Sequence, residues 1–117
     1  MNSIPPNMRT RMDANPFYHI CCITGRRDVK IEWHHNLIFA GSQVQEEFAI
    51  LPIAEYIHKK ADYTHVREIL DWVMLSRATD AQLVKYSKAR NLFHHRDYLN
   101  EKFGGPWKEG DYRFENI

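Results

Sequence analysis

The feature that most constrains the fold is an alternating run that ends in two adjacent histidines. In "DVKIEWHH", residues 28–35, apolar side chains alternate with polar ones up to the final pair. A period of two is the signature of a strand with one buried face. Successive side chains of a strand point to opposite faces, so His34 and His35 are expected to point to opposite sides.

The flanking segments predict a β-hairpin followed by a helix. Residues 17–25, "FYHICCITG", are rich in aromatic and β-branched side chains and close on Thr-Gly, which predicts a strand entering a turn. Residues 36–47 contain a Gly-Ser break and predict a loop, and "FAIL", 48–51, predicts the second strand of the hairpin. Pro52 fits the first turn of a helix, because its missing N–H costs nothing there. That helix is expected to continue to Asp62.

The C-terminal half predicts three helices. In "HVREILDWVMLSRA" the apolar residues follow the spacing of an amphipathic helix, with Thr64 as its N-cap. Thr79 is expected to cap a second helix, "DAQLVKYSKARN". A third, "LFHHRDYLNEKF", is expected to end at Gly104, a residue type that commonly terminates helices.

Length and composition favour one α+β domain over the 117 residues. The expected division is an extended basic arm over 1–16, a core over 17–63, a helical part over 64–105 and a tail over 106–117. Residues 1–30 carry an excess of three positive charges in a chain whose net charge is +1. Such an arm either contacts phosphates or is simply solvated.

The chain is expected to lie in a cytosol and not in a membrane. No apolar run approaches the roughly 20 residues needed to span a bilayer, and the beginning of the sequence lacks the apolar centre of a secretory signal. Cys21 and Cys22 are the two cysteines, and they are adjacent. This spacing does not indicate a disulfide framework or a four-thiolate zinc site.

The histidines after the strand are candidates for a catalytic metal site. His34, His58 and Asp62 are the predicted ligands, since His58 and Asp62 are four residues apart on the predicted helix and share a face. Three ligands leave positions open for water or a phosphate oxygen. His35 is the predicted general base, because an imidazole with an unperturbed pKa of about 6.5 can accept a proton near neutral pH. Structural roles are expected for the remaining histidines, namely His19, His65, His94 and His95, with a contact behind the site left open for the last two.

The arrangement over about residues 20–65 resembles the HNH nucleases, also called ββα-metal or His-Me finger nucleases. The resemblance is carried by "CITGRRD" before "IEWHHN" and by "FAILPIAEYIHKKAD", with His58 23 residues after His35. It implies a ββα-metal fold in which the first residue of the pair binds a divalent ion, the second is the base, and the following helix supplies the last ligand. Asp62 falls where some members carry a further metal-binding histidine.

Two features depart from the family pattern. Ala49 occupies the position of the middle asparagine, which braces the loop between the strands, so that Asn36, Gln43 or Gln45 is expected to substitute. Ala54 and Ile57 stand where other members have zinc-knuckle cysteines.

The resemblance implies a metal-dependent DNA endonuclease, with Mg²⁺ as the expected ion and Mn²⁺, Ni²⁺ or Zn²⁺ as alternatives. Small members are frequent in bacteriophage genomes, which implies a role in phage DNA recombination, processing or packaging inside a bacterial host. The expected DNA contacts are Arg26, Arg27, Lys59 and Lys60, with the solvated surface as the alternative. The helical half is a candidate surface for a homodimer or a partner protein.

Two other functions stay open on the sequence. One is a catalytically inactive ββα module that binds DNA or a protein, which the missing asparagine and near-neutral charge favour. The other is a structural zinc protein in which His34, His58 and a cysteine complete a four-ligand site.

Overall fold

The computed structural model describes residues 4–88 and 90–117, and its architecture is α+β. The strands are β1 (Ile31–His35), β2 (Ile38–Phe39), β3 (Ser42–Gln43) and β4 (Ile50–Ala54). The helices are α1 (Pro6–Asp13), α2 (Glu55–His58), α3 (Thr64–Arg77), α4 (Asp80–Lys85) and α5 (Leu92–Phe103), with 3-10 turns over Pro16–His19 and Glu47–Ala49. None of the helices in the described residues is long and apolar enough to cross a membrane.

Strands β1 and β4 form an antiparallel pair that carries the two histidines. Its register places His34 opposite Leu51 and Trp33 opposite Pro52. Every residue of β4 is buried, whereas those of β1 are partly exposed. The pair therefore holds the histidines over the core while leaving them accessible.

The prediction that Pro52 begins a helix is wrong, because Pro52 lies in the middle of β4. Backbone hydrogen bonds join the amide of Asn36 to the carbonyl of Ala49, and that of Glu55 to Lys30. Bonded pairs alternate along an antiparallel ladder, so Pro52 falls at a pair that exchanges no hydrogen bonds. Its missing N–H therefore does not disrupt the sheet.

The segment predicted as a loop over 36–47 contains a second, smaller hairpin. Strand β2 pairs with β3 through Ile38 opposite Gln43 and Phe39 opposite Ser42. The two turn residues, Ala40 and Gly41, have φ angles of 53° and 80°. Two consecutive positive φ angles are typical of the tight turn that joins paired strands.

The N-terminal predictions were wrong in the described residues. Pro6–Asp13 form a helix, not an extended arm, because Pro6 occupies the favoured first position of the helix and Met8 and Met12 are buried. Residues 1–3 lie outside the described part. The predicted strand over 17–25 is instead a 3-10 turn, Pro16–His19, followed by tight turns, and the Asn15 side chain accepts a hydrogen bond from the Phe17 amide.

The helices of the C-terminal half agree with the sequence patterns, except that Thr64 is the first residue of α3 and not its N-cap. The apolar stripe of α3 is buried as predicted, and α5 ends at Phe103, with Gly104 in the left-handed conformation as its C-cap. Thr79 caps α4 in a reciprocal capping box with Gln82, although α4 ends at Lys85, earlier than expected. Helix α3 packs on both α5 and the strand pair, so it joins the helical half to the histidine-bearing half.

Candidate functional site

His34 and His58 meet on the face of β1 that also carries Glu32. Strand β4 runs directly into α2, and α2 packs against β1, which places His58 beside His34. The His34 Nδ1 and His58 Nε2 atoms are 3.2 Å apart, and the two rings meet edge to face. The structure thus brings together two of the three predicted metal ligands.

The outer nitrogen of each ring is committed to an oxygen. His58 Nδ1 lies 2.9 Å from Glu32 Oε1, and His34 Nε2 lies 3.2 Å from the Asn36 side-chain oxygen. A carboxylate or amide oxygen accepts a hydrogen bond, so each outer nitrogen carries the proton. In the neutral rings, the lone pairs of His34 Nδ1 and His58 Nε2 therefore face each other, and a cation between them would satisfy both.

Burial favours the neutral form of His34. Removal from water, together with repulsion from His58 when that ring is protonated, lowers the pKa of His34 to about 4. In contrast, the hydrogen bond from His58 lowers the pKa of Glu32, which favours the ionised carboxylate that accepts this bond. Neutral imidazole is the form that binds metal ions.

The spacing of the two inner nitrogens fits a shared divalent ion. Two nitrogens bound to one ion at about 2.1 Å, in octahedral or tetrahedral arrangement, lie about 3.0–3.4 Å apart. The observed separation is 3.2 Å. Carboxylate or carbonyl oxygens behind the rings of metal-binding histidines are also common in metal sites. Among the residues that the structure describes, no group of three or more His, Cys, Asp or Glu side chains could hold an ion alone.

Asp62 is not placed as the sequence predicted. Helix α2 ends at His58, so Asp62 lies on the exposed turn that follows and does not share a helical face with His58. It is still near enough for its charge to raise the pKa of His34 against the larger lowering effects. Its role as a metal ligand stays a prediction.

His35 points away from His34 and contacts the loop between the strands. Its Nε2 lies 3.1 Å from Gln45 Oε1, so Nε2 donates the hydrogen bond and Nδ1 keeps the lone pair that a general base needs. Gln45, one of the three residues expected to substitute for the missing asparagine, thus contacts His35 directly. Gln43, the other predicted support, lies at the end of the β2–β3 pair, and its side-chain oxygen is buried without a hydrogen-bond partner.

The predicted DNA-contacting residues are exposed. Lys59 and Lys60 directly follow His58, and Arg27 lies in the turn before β1. Arg26 is also exposed, but its guanidinium binds the Asp28 carboxylate through two hydrogen bonds. Lys59 and Lys60 are thus the exposed basic residues that follow His58 most closely in the sequence.

Sequence reasoning missed Glu32 and Asp71, and it left a contact behind the site open for His95 without naming its partner. Glu32 precedes His34 by two residues, so strand alternation alone places both on one face. Asp71 is a charged residue inside the apolar run "ILDWVML", which is a signal of a buried, paired charge. His95 contacts Asp71 across two helices, and no local pattern indicates that pairing.

Comparison of the chain with models of protein families, with curated proteins and with solved structures finds no match.

Proposed function

We propose that this protein is a divalent-metal-dependent endonuclease of the HNH type that hydrolyses DNA phosphodiester bonds. The observation that carries the proposal is the pair of inward-facing nitrogens, His34 Nδ1 and His58 Nε2, 3.2 Å apart with both outer nitrogens committed to oxygens. An antiparallel strand pair followed directly by a helix that carries His58 supports a ββα-metal fold.

In this proposal each residue of the site has a separate role in the reaction. His34 and His58 would hold the ion, and Glu32 and Asn36 fix the ring orientations from behind. When bound, a divalent ion supplies charge that polarises the scissile phosphate and stabilises the leaving oxygen. His35 takes a proton from the attacking water on Nδ1, because Gln45 occupies its Nε2.

A two-histidine site suits a nuclease that completes its ion coordination with substrate. Mg²⁺ commonly keeps several waters and substrate phosphates among its ligands, and histidine nitrogens also suit Mn²⁺, Ni²⁺ or Zn²⁺. His58 is partly exposed, with 38% of its side-chain surface accessible, so a phosphate can approach it from solvent. Lys59 and Lys60 are exposed beside it and would contact the DNA backbone. A protein acting on phage DNA would work in the cytosol of the bacterial host.

The structural zinc alternative is less favoured. Burial raises the pKa of the Cys22 thiol, which opposes the thiolate that zinc requires. Both cysteines are buried under the strands, and their thiols join no metal-binding group within the described ranges.

Nicking of supercoiled plasmid tests the proposal. The wild type would be incubated with Mg²⁺, Mn²⁺ or EDTA beside His35→Ala and His58→Ala, with His94→Ala, an exposed histidine on α5, as the matched control. We expect metal-dependent nicking in the wild type and control, and a loss of at least about 100-fold in both site variants.

Two results would count against the proposal. Folded wild-type protein that shifts DNA in a gel but cuts it with none of the metals would support the inactive binding module. Equal cleavage by the wild type and both site variants would show that a contaminating nuclease is responsible.

A further inference from the structure

A buried carboxylate in the helical half contacts the residue that orients His34. Asp71 lies on α3 with 6% of its surface accessible, and it is the one buried acidic residue in the described part of the chain. Its Oδ1 accepts a hydrogen bond of 3.0 Å from Asn36 Nδ2. The Asn36 side-chain oxygen in turn lies 3.2 Å from His34 Nε2.

We infer that Asp71 is a positioning residue that acts through Asn36 to hold His34 in the tautomer with its Nδ1 lone pair directed at His58. The inference rests on the proposed function, in which His34 Nδ1 binds the ion and must therefore carry no proton. The hydrogen-bond partners of the Asp71 side chain are Asn36, His95 and Arg90, so its effect on His34 passes through the amide of Asn36.

The selection follows from the chemistry of the amide group. An asparagine side chain can present either its oxygen or its NH₂ group to a neighbour, and the two orientations have nearly the same shape. An ionised carboxylate only accepts hydrogen bonds, so Asp71 requires the NH₂ group of Asn36. The amide oxygen must then face His34, where it requires a proton on Nε2 and leaves Nδ1 free.

Two basic groups from other elements hold Asp71 in place. His95 on α5 contacts Asp71 Oδ2 through its Nε2 at 3.1 Å, and Arg90 contacts the same oxygen at 3.4 Å. A buried carboxylate is costly unless it is paired and hydrogen-bonded, and these contacts compensate that cost. The chain of contacts therefore connects α5 to the candidate metal site through α3.

The position of Asp71 argues against a purely structural role for its charge. Its neighbours Leu70 and Trp72 are buried apolar residues, and α3 is held to α5 independently by Glu68, which binds Tyr98 and Lys102. An apolar residue at position 71 would pack in this region without requiring any partner. A carboxylate there has a specific consequence, which is the orientation of Asn36.

The test measures the His34 tautomer and metal affinity separately. Two-bond ¹H–¹⁵N correlation spectra of the metal-free protein report which ring nitrogen is protonated, and titration calorimetry with Ni²⁺ reports affinity. The variants are Asp71→Leu and, as the matched control on the same helix, Glu68→Leu, which removes the other polar link to α5. Asp71→Ala, which also removes the acceptor of the Asn36 hydrogen bond, serves if Asp71→Leu does not fold.

We expect a single Nε2–H tautomer for His34 in the wild type and in Glu68→Leu. In Asp71→Leu the amide is free to turn, so both tautomers should appear and Ni²⁺ affinity should fall roughly 10- to 100-fold. An unchanged His34 tautomer in the folded Asp71 variants would overturn the inference. Because the tautomer is read without metal, this result is distinct from a wild type that binds no Ni²⁺, which would count against the proposed function instead.

Discussion

Two independent features require glycine at position 25, namely its backbone conformation and the packing around it. Its amide donates to the Cys21 carbonyl in the turn before β1, and its φ angle is +76°. A Cβ added there would lie 2.6 Å from the ring of Tyr112, so the C-terminal tail packs directly against this turn. A side chain at this position would meet both backbone strain and a steric clash.

Gly25→Ala should therefore destabilise the protein more than Gly41→Ala. Gly41 has a similar φ of +80°, but a Cβ there would meet nothing within 4 Å. We expect a loss of about 1–2 kcal/mol for Gly41→Ala from strain alone, and of about 2–4 kcal/mol for Gly25→Ala with the clash added. Urea unfolding of both variants measures the difference, and equal losses would show that the tail does not restrain the turn.

The sequence predicted the two facing histidines of the site better than the side chains that contact their outer nitrogens. His34 and His58 come together as the sequence spacing predicted, and Glu32 follows from strand parity. The hydrogen bond from Asn36 to Asp71 joins residues 35 positions apart, and the contact between Asp71 and His95 joins α3 to α5. Such contacts depend on how helices pack, which local spacing does not determine.

At the scale of elements, Arg77 joins the end of α3 to the segments around the strands. Its guanidinium lies 4.1 Å from the centre of the Phe17 ring and 3.0 Å from the Tyr18 hydroxyl, and it also donates to the carbonyls of Glu47 and Ile50. Planar stacking and a rigid fork of five donors, which can reach separated acceptors at once, are properties of arginine that lysine lacks. One side chain thus fixes both 3-10 turns to the same helix.

Arg77→Lys should cost about 2–3 kcal/mol of unfolding free energy, because the carbonyls of Glu47 and Ile50 lose donors and the stacking on Phe17 is lost. Arg67→Lys, at an exposed position on the same helix, should change stability by less than about 0.5 kcal/mol. Chemical denaturation with both variants in parallel checks this. Similar stabilities for the two would mean that α3 is held by its apolar face alone.

The elements that the sequence predicted well are those with long, regular patterns. Helix α3 has a regular apolar stripe and α5 has a capping residue at each end, and both were found with their ends within a residue or two. Helix α2 has only four residues, and β4 contains a proline, so local propensity indicated a longer helix starting at Pro52. Pairing with β1 overrides that propensity, and pairing is a long-range property.

At the scale of the whole molecule, the site lies where the two halves of the chain meet. Glu32, His34 and His58 belong to the strand pair and its helix, whereas Asp71 and His95 belong to the helical half. The two halves also share one buried cluster, which includes residues of β4 and α3 as well as Ile4 and Trp107 from the outer parts of the chain. Ion binding at the two histidines should therefore stabilise the folded molecule as a unit.

A divalent ion should raise the melting temperature of the wild type, and EDTA should reverse the effect. An ion that binds the folded state alone, at 100 times its dissociation constant, adds about 2.7 kcal/mol to stability. His58→Ala should lose this increase, because one of the two facing nitrogens is removed. Asp62→Asn should keep it, since Asp62 lies on the exposed turn beyond α2.

Calorimetric melts with Ni²⁺ or Mn²⁺ for the three proteins separate the possible ligand sets. If Asp62→Asn also abolishes the increase, Asp62 is a ligand, and the turn after His58 must close on the ion when it binds. If His58→Ala keeps the full increase, the ion binds elsewhere, and the facing nitrogens would be an ordinary hydrogen-bonded pair. The two variants thus decide whether two or three side chains hold the metal. The arrangement of His34 and His58 predicts that the number is two.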